Sequence, residues 1–219
     1  MNEAYTQPGR SATAANGHAI LNSIVTDDES VITENRNRRM SNTAQIAWTE
    51  KLRPEMEKRL GGSRANGVTG TANVFPNYFL GMRVAHPRGP HTTECWSFEF
   101  YEKNAPEEIK ALVRERSVHG AGQPGGLLMQ DDMDNWRGVT DSGKLVAGRH
   151  FPMNLSMGMK HQSPSSKQPA LMVADSHCSE LNQRSWYSRW QEFMNAGSWT
   201  DITVNPITGT FEGTATMNS

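Results

Sequence analysis

Cysteine is nearly missing from this 219-residue chain: Cys95 and Cys178 are its two, far apart and without a Cys-x-x-Cys partner. An iron–sulfur cluster or structural zinc site made by the chain alone needs a full set of Cys or Cys/His ligands, so both are excluded. No apolar run approaches the length of a membrane span. The first 20 residues lack the apolar core of a signal peptide, and a cytoplasmic location is the expectation. Neither sign of charge dominates, with 22 basic residues against 23 acidic ones, so no general attraction to nucleic acid is implied. Hydrophobic residues make up only 36% of the chain, while glycine and methionine are plentiful. Such a chain leans on a partner for part of its burial. The length suits one domain with a sizeable core better than two small ones.

What is present reads as follows. Residues 1–17 are small and polar, and are expected to form a disordered or extended arm. A short strand is expected from His18 to Val25, then an acidic turn at Asp27–Glu29 and a basic polar stretch from Asn35 to Arg39. Ala44–Leu60 has the periodicity of a helix, weakened in its middle by Pro54. Gly61–Gly70 reads as loop. Ala72–Leu80 reads as a strand broken by Pro76, Met82–Ala85 as a second strand, and His86–Pro90 as a turn. In Thr92–Tyr101 the residues Glu94, Trp96, Phe98 and Phe100 share one face, which predicts that this face lies on the core. A helix should follow, with Pro106, Glu107 and Glu108 in its first turn and Ile109, Leu112, Val113 and Arg116 on its stripe. Gly148–Met159 reads as a strand and Lys160–Pro169 as an exposed loop. Ser179–Ala196 reads as the longest helix, with Trp186, Trp190, Phe193 and Met194 on one face and Gly197 to end it. Residues 202–219 read as a loose tail. Strands meeting helices without a βαβ rhythm predict an α+β domain.

The segment to explain is Gln130-Asp-Asp-Met-Asp-Asn-Trp136, which reads as helix from about Gly126. Helical neighbours lie three and four positions apart. Asp132 therefore falls between Leu128 and Met129 on one side and Asn135, Trp136 and Val139 on the other, on the stripe a helix turns inward. Asp131 and Asp134 fall off it. An inward acid pairs, protonates or binds a metal. The plain alternative is a buried acid satisfied by a backbone amide, an arginine or a water. The sharper one is a ligand to a non-heme Fe(II), which needs two histidines from elsewhere.

With Val74-Phe-Pro-Asn77, Arg83, His86-Pro-Arg-Gly-Pro90, Ala105-Pro-Glu-Glu108, Gln130–Trp136 and Gln183-Arg-Ser-Trp-Tyr-Ser-Arg-Trp190 in this order, residues 18–201 resemble the C-terminal catalytic domain of the alpha subunit of Rieske aromatic-ring-hydroxylating dioxygenases. The resemblance implies a helix-grip fold, a curved antiparallel sheet wrapped on a long C-terminal helix. It implies a mononuclear Fe(II) held by two histidines and one aspartate, the second of the Asp-Asp pair, here Asp132. It places Leu128 on the wall of the substrate pocket, and Gly122 as a further candidate for that wall. The reaction implied is addition of dioxygen to an arene to give a cis-dihydrodiol. Its electrons come from a ferredoxin or reductase through a Rieske 2Fe-2S centre in a neighbouring subunit. A homotrimer, with or without a beta subunit, is the implied assembly.

The departures matter as much. These residues contain neither the Cys-x-His and Cys-x-x-His ligands of the Rieske domain nor the Asp…His…His segment that supplies the two iron histidines. The expectation is a C-terminal piece or shortened relative of an alpha subunit, inactive alone. Of the seven histidines, His18, His86, His91, His119, His150, His161 and His177, each falls in an expected loop or strand end, and His119 is nearest in sequence to Asp132. Arg83 and Arg88 read as supports for loops or subunit contacts. A metal-free binding module for a hydrophobic ligand and a non-functional gene fragment are the alternative readings.

Overall fold

The computed structural model describes residues 10–24, 33, 42–61, 65, 68–79, 83–120, 126–127, 129–166, 170–176 and 178–204. They divide into two compact units where one domain was expected: Met1–Gly81 with Leu155–Ser219, and Met82–Asn154. The acidic turn at Asp27–Glu29, the basic cluster at Asn35–Arg39 and the tail from 205 onward lie outside the described residues.

The first unit is an antiparallel sheet with a helix on it. Its strands are β1 (Arg10–Ala14), β2 (Ala19–Ile24), β3 (Val68–Val74), β4 (Tyr78–Phe79), and, far along the chain, β7 (Gln162–Pro164) and β8 (Leu171–Ala174). The spatial order is β4-β3-β2-β1-β8-β7. Thus β1 is an interior strand, paired with β2 on one side and β8 on the other. Of the disordered or extended arm expected over residues 1–17, the described part, Arg10–Gly17, forms a strand and a tight turn within the sheet. The misreading has a physical cause. Ser11, Ala12, Thr13 and Ala14 lack the bulky apolar side chains that mark a core strand, yet Ser11 is fully buried and Thr13 and Ala14 nearly so. Their small size lets helix α4 (Leu181–Asn195) pack against β1 and β2. Ser185 Oγ on that helix donates to Ala14 O at 3.1 Å, and Ser11 Oγ donates to Ser176 O at 3.0 Å.

Helix α1 (Thr43–Leu60) begins where Asn42 Oδ1 accepts from Ala44 N and Gln45 N, and ends at Gly61. It runs through Pro54, which is exposed, and Arg53 beside it donates to Glu57 Oε1 at 2.8 Å. With 18 residues it is longer than α4, which has 15, so the ranking of these two helices is reversed. Helix α4 ends on Ala196 in extended conformation, one residue before the expected glycine. Pro76 sits in the turn between β3 and β4, where the lost N–H leaves no ladder bond unmade. Strand β3 begins at Val68, within the stretch expected to be loop, and β7 replaces part of the expected exposed loop at 160–169.

The second unit holds the hairpin β5 (Arg83–Gly89) and β6 (Thr92–Ser97), then α2 (Glu107–His119), α3 (Met129–Lys144) and a 3-10 turn at Ala147–His150. Strand β5 runs through the expected His86–Pro90 turn as far as Gly89, with a register shift between Pro87 and Gly89. Arg88 Nε donates to Glu94 Oε2 at 2.8 Å across the hairpin, a loop-supporting role. The aromatic face of residues 92–101 is not core. Trp96 is 50% exposed, Phe98 46% and Phe100 63%, because among the described residues no helix of this unit covers it. The strand expected over Gly148–Met159 is replaced by 3-10 turns and irregular chain.

Gly17 has φ of +81°, and a Cβ there would lie 3.0 Å from Arg189 Cβ and 3.2 Å from Phe75 Cβ. Gly61 also has positive φ, at +77°, but an added Cβ meets nothing within 4 Å. Both Gly→Ala substitutions should therefore carry a backbone penalty of about 1–2 kcal/mol. Gly17→Ala should add about 1–2 kcal/mol of overpacking. Urea midpoints for the two variants should differ in that order.

Candidate functional site

On α3 the spacing argument holds for one turn and then fades. Met129 is buried at 4% exposure, and Asp132, three residues on, is the half-buried member of its acidic cluster, with Asp131 and Asp134 exposed. Further along the same stripe Trp136 is 39% exposed and Val139 73%, so the expected inward face does not continue. Asp131 and Asp132 both sit in the first turn, where a carboxylate interacts favourably with the helix dipole. Among the described residues Asp132 has no hydrogen-bond or ion-pair partner, so the reading of an acid locked to an arginine does not describe it. Leu128 and Gly122 lie outside the described residues.

An iron centre of two histidines and a carboxylate needs three donors on one face of the metal. Among the described residues no three His, Cys, Asp or Glu side chains are grouped to hold an ion. His18 Nδ1 accepts from Phe75 N at 3.0 Å. His86 packs its ring on Trp96 at 5.2 Å. His91, His119, His150 and His161 are exposed, and His177 lies outside the described residues. The described residues thus present one carboxylate and do not fit a mononuclear iron site as a set. No step through iron follows from them.

The densest polar cluster lies in the first unit, around Arg189 of α4. Arg189 is 8% exposed, donates to Glu192 Oε2 at 2.5 Å and Thr203 O at 2.8 Å, and stacks on Phe193 at 4.9 Å. Glu192 Oε1 accepts from Thr203 N at 2.7 Å. That bond and the Arg189 guanidinium hold the Glu192 carboxyl below the usual carboxylate range. Residues 202–204, expected to begin a loose tail, are thereby tied to the helix. Arg189 also faces His18, whose imidazole is pushed below its ordinary value, first by burial and then by the Arg189 charge. From the sequence Arg189 has no role beyond its place in the Gln183–Trp190 motif, and β8, which pairs with β1, is not among the expected strands. The run Leu171-Met-Val-Ala174 is the signal that marks β8.

Known proteins share this architecture. Naphthalene 1,2-dioxygenase with indole bound in its active site superposes with a TM-score of 0.70 at 21% identity, over 92% of this chain and 44% of that one. The naphthalene 1,2-dioxygenase of Rhodococcus sp. bound to indole gives 0.62 at 21% identity, over 90% and 47%. The class defined by fold is therefore an α+β domain of the kind found in those dioxygenase chains.

Sequence narrows it. The chain is 29% identical over 164 residues to biphenyl dioxygenase subunit alpha of Paraburkholderia xenovorans, covering 71% of this chain and 35% of that protein. It is 29% identical over 160 residues to chlorobenzene dioxygenase subunit alpha of Cupriavidus sp., covering 69% and 35%. Against the large oxygenase component of the naphthalene 1,2-dioxygenase system of Pseudomonas putida it is 26% identical over 164 residues. No family model matches the chain. The chain is similar in sequence to ring-hydroxylating dioxygenase alpha subunits, and spans about a third of the length of the curated relatives it matches.

The depressed imidazole of His18 has a measurable consequence. An unfolded histidine takes up its proton near 6.5, whereas folded His18 resists doing so until lower pH. The associated stability is complete above 6.5 and is lost as pH falls through the folded value. Lowering the pH from about 7.5 to about 5.5 should reduce the urea midpoint. His18→Asn, whose Oδ1 can still accept from Phe75 N, should lose less over the same interval. Equal losses in both proteins count against this assignment.

Proposed function

We propose that this chain is the C-terminal catalytic-domain portion of an aromatic-ring-hydroxylating dioxygenase alpha subunit, and that its 219 residues do not turn over by themselves. The observation that supports this reading is the similarity over some 70% of the chain to alpha subunits named for biphenyl, chlorobenzene and benzene. The substrate class is accordingly an arene of one or two rings, oxidised with dioxygen and reducing equivalents to a cis-dihydrodiol. In this reading a ferredoxin or reductase is the electron donor; a non-heme Fe(II) would have Asp132 as one ligand and would supply the activation of dioxygen, and a Rieske 2Fe-2S centre would supply the electrons. The assembly is a homo-oligomer, a trimer with or without a beta subunit, working in the cytoplasm. Among the described residues no helix is long and apolar enough to cross a membrane.

The contribution of the chain itself is Asp132. Its carboxylate stands on a helix anchored by buried Met129 and shielded on one side. An unpaired anion at such a place suits a divalent cation. In this reading the other donors are two histidines from outside the described residues.

Two experiments test the reading. In a chimera, this chain replaces the matching segment of the biphenyl dioxygenase alpha subunit. It is expected to oxidise an arene, and Asp132→Ala in that chimera should lower turnover by about 100-fold or more. A soluble, folded Asp132→Ala chimera that keeps its rate removes Asp132 from the site. Separately, the purified chain given Fe(II) and a chemical reductant should bind iron well below one equivalent and leave the arene unchanged. Stoichiometric iron with arene oxidation overturns the claim of inactivity.

A further inference from the structure

We propose that the crevice in the first unit between the first turn of α4 and the β1-β8-β7 edge of the sheet binds a small amphipathic carboxylate, one with an apolar body and a single negative charge. The crevice has a volume of about 420 Å³, within the range of small-molecule sites. Its wall is largely apolar, formed by Ala14, Pro164, Leu171, Met172 and Leu181, and among the described residues its one charged lining residue is Arg184. No acid lines it.

Arg184 is the feature that selects the ligand. Its Nη1 donates to Leu155 O at 2.5 Å and Met157 O at 3.0 Å, and its Nη2 donates to Gln162 Oε1 at 2.7 Å. All three acceptors are neutral. The guanidinium is half-buried and makes no ion pair among the described residues. Glu180, one helical turn earlier, instead accepts from Met157 N at 2.9 Å. Asp175, in the adjoining polar crevice, pairs with Arg10 at 3.4 Å. A guanidinium has five N–H donors, and three are used here, leaving Nε–H and one N–H of Nη2 for a carboxylate.

The wall then limits what else can bind. A neutral hydrocarbon would cover the guanidinium without compensating its charge, which is unfavourable. A second charge on the ligand would meet apolar side chains. An apolar monocarboxylate satisfies both sides. This site uses no residue of the second unit and does not depend on the oxygenase reading or on Asp132.

The test is calorimetric titration of the full chain with benzoate and with its neutral isostere benzamide. Benzoate should bind saturably and at least about tenfold more tightly than benzamide. Ala170→Glu, at an exposed position that lines the crevice, should abolish that preference by placing a carboxylate there. Arg184→Gln should do the same, with circular dichroism to check its fold; if it does not fold, Ala170→Glu decides alone. Asp132→Ala should leave benzoate affinity unchanged. Equal affinities for the two probes, undiminished benzoate binding in Ala170→Glu, or no saturation by about 10 mM benzoate overturns the proposal.

Discussion

Close approach of one helix to two strands is the constraint from which most of the first unit follows. Helix α4 can lie on β1 and β2 because the residues beneath it are small, and because Gly17 turns the chain with a positive φ directly under Arg189. Once the helix is there, its polar side chains are committed. Ser185 closes on Ala14 O, and Arg189 reaches Glu192 and Thr203 O. Phe75 is gripped between Trp186 and Phe193, with ring centroids 5.4 and 5.1 Å away. A larger side chain at Gly17 would push on Arg189 and Phe75 together, so sheet, helix and aromatic cluster are coupled through one glycine.

The second unit buries little apolar surface. Its buried apolar side chains are Ala105, Ile109 and Met129, while Trp96, Phe98 and Phe100 stand in solvent. Apolar burial at about 25 cal/mol per Å² is the main favourable term in folding, and three modest side chains provide little of it. The low hydrophobic content of the sequence shows in the first unit as well, which among the described residues buries Ala14, Ala19, Ala174 and Leu181 and leaves Trp190 and Trp199 exposed.

Periodicity made α1, α2 and α4 legible, because each has apolar residues at helical spacing. It also singled out Asp132 over Asp131 and Asp134, and the half-buried position of Asp132 agrees. Sheet elements were less legible. Strand β1 is built of Ser, Ala and Thr, whose burial comes from what packs on them and not from their own hydrophobicity. Residues 92–101 alternate as a core strand should, but alternation reports only that one face differs from the other. Whether that face is covered depends on a partner element that local sequence does not encode. The irregular chain at 148–159 was misread for a related reason: Phe151, Met153 and Met157 look like strand residues, yet all three are exposed.

The motifs that carry the family resemblance divide by what they do. Within Gln183–Trp190, Arg184 ties the 155–157 backbone to α4, Ser185 closes on β1, and Arg189 fastens the chain at Thr203. These are scaffold tasks, and a protein that keeps them keeps the fold whatever its chemistry. The Gln130–Trp136 motif makes fewer ties among the described residues: beyond Met129 its side chains are half-buried or exposed, and Asp132, in the first turn where the helix dipole favours a carboxylate, has no hydrogen-bond or ion-pair partner there. Asp132 is thus half-shielded without a partner among the described residues, whereas Arg184 is held by three hydrogen bonds. Fold likeness therefore rests on one helix, and any claim to chemistry rests on the other.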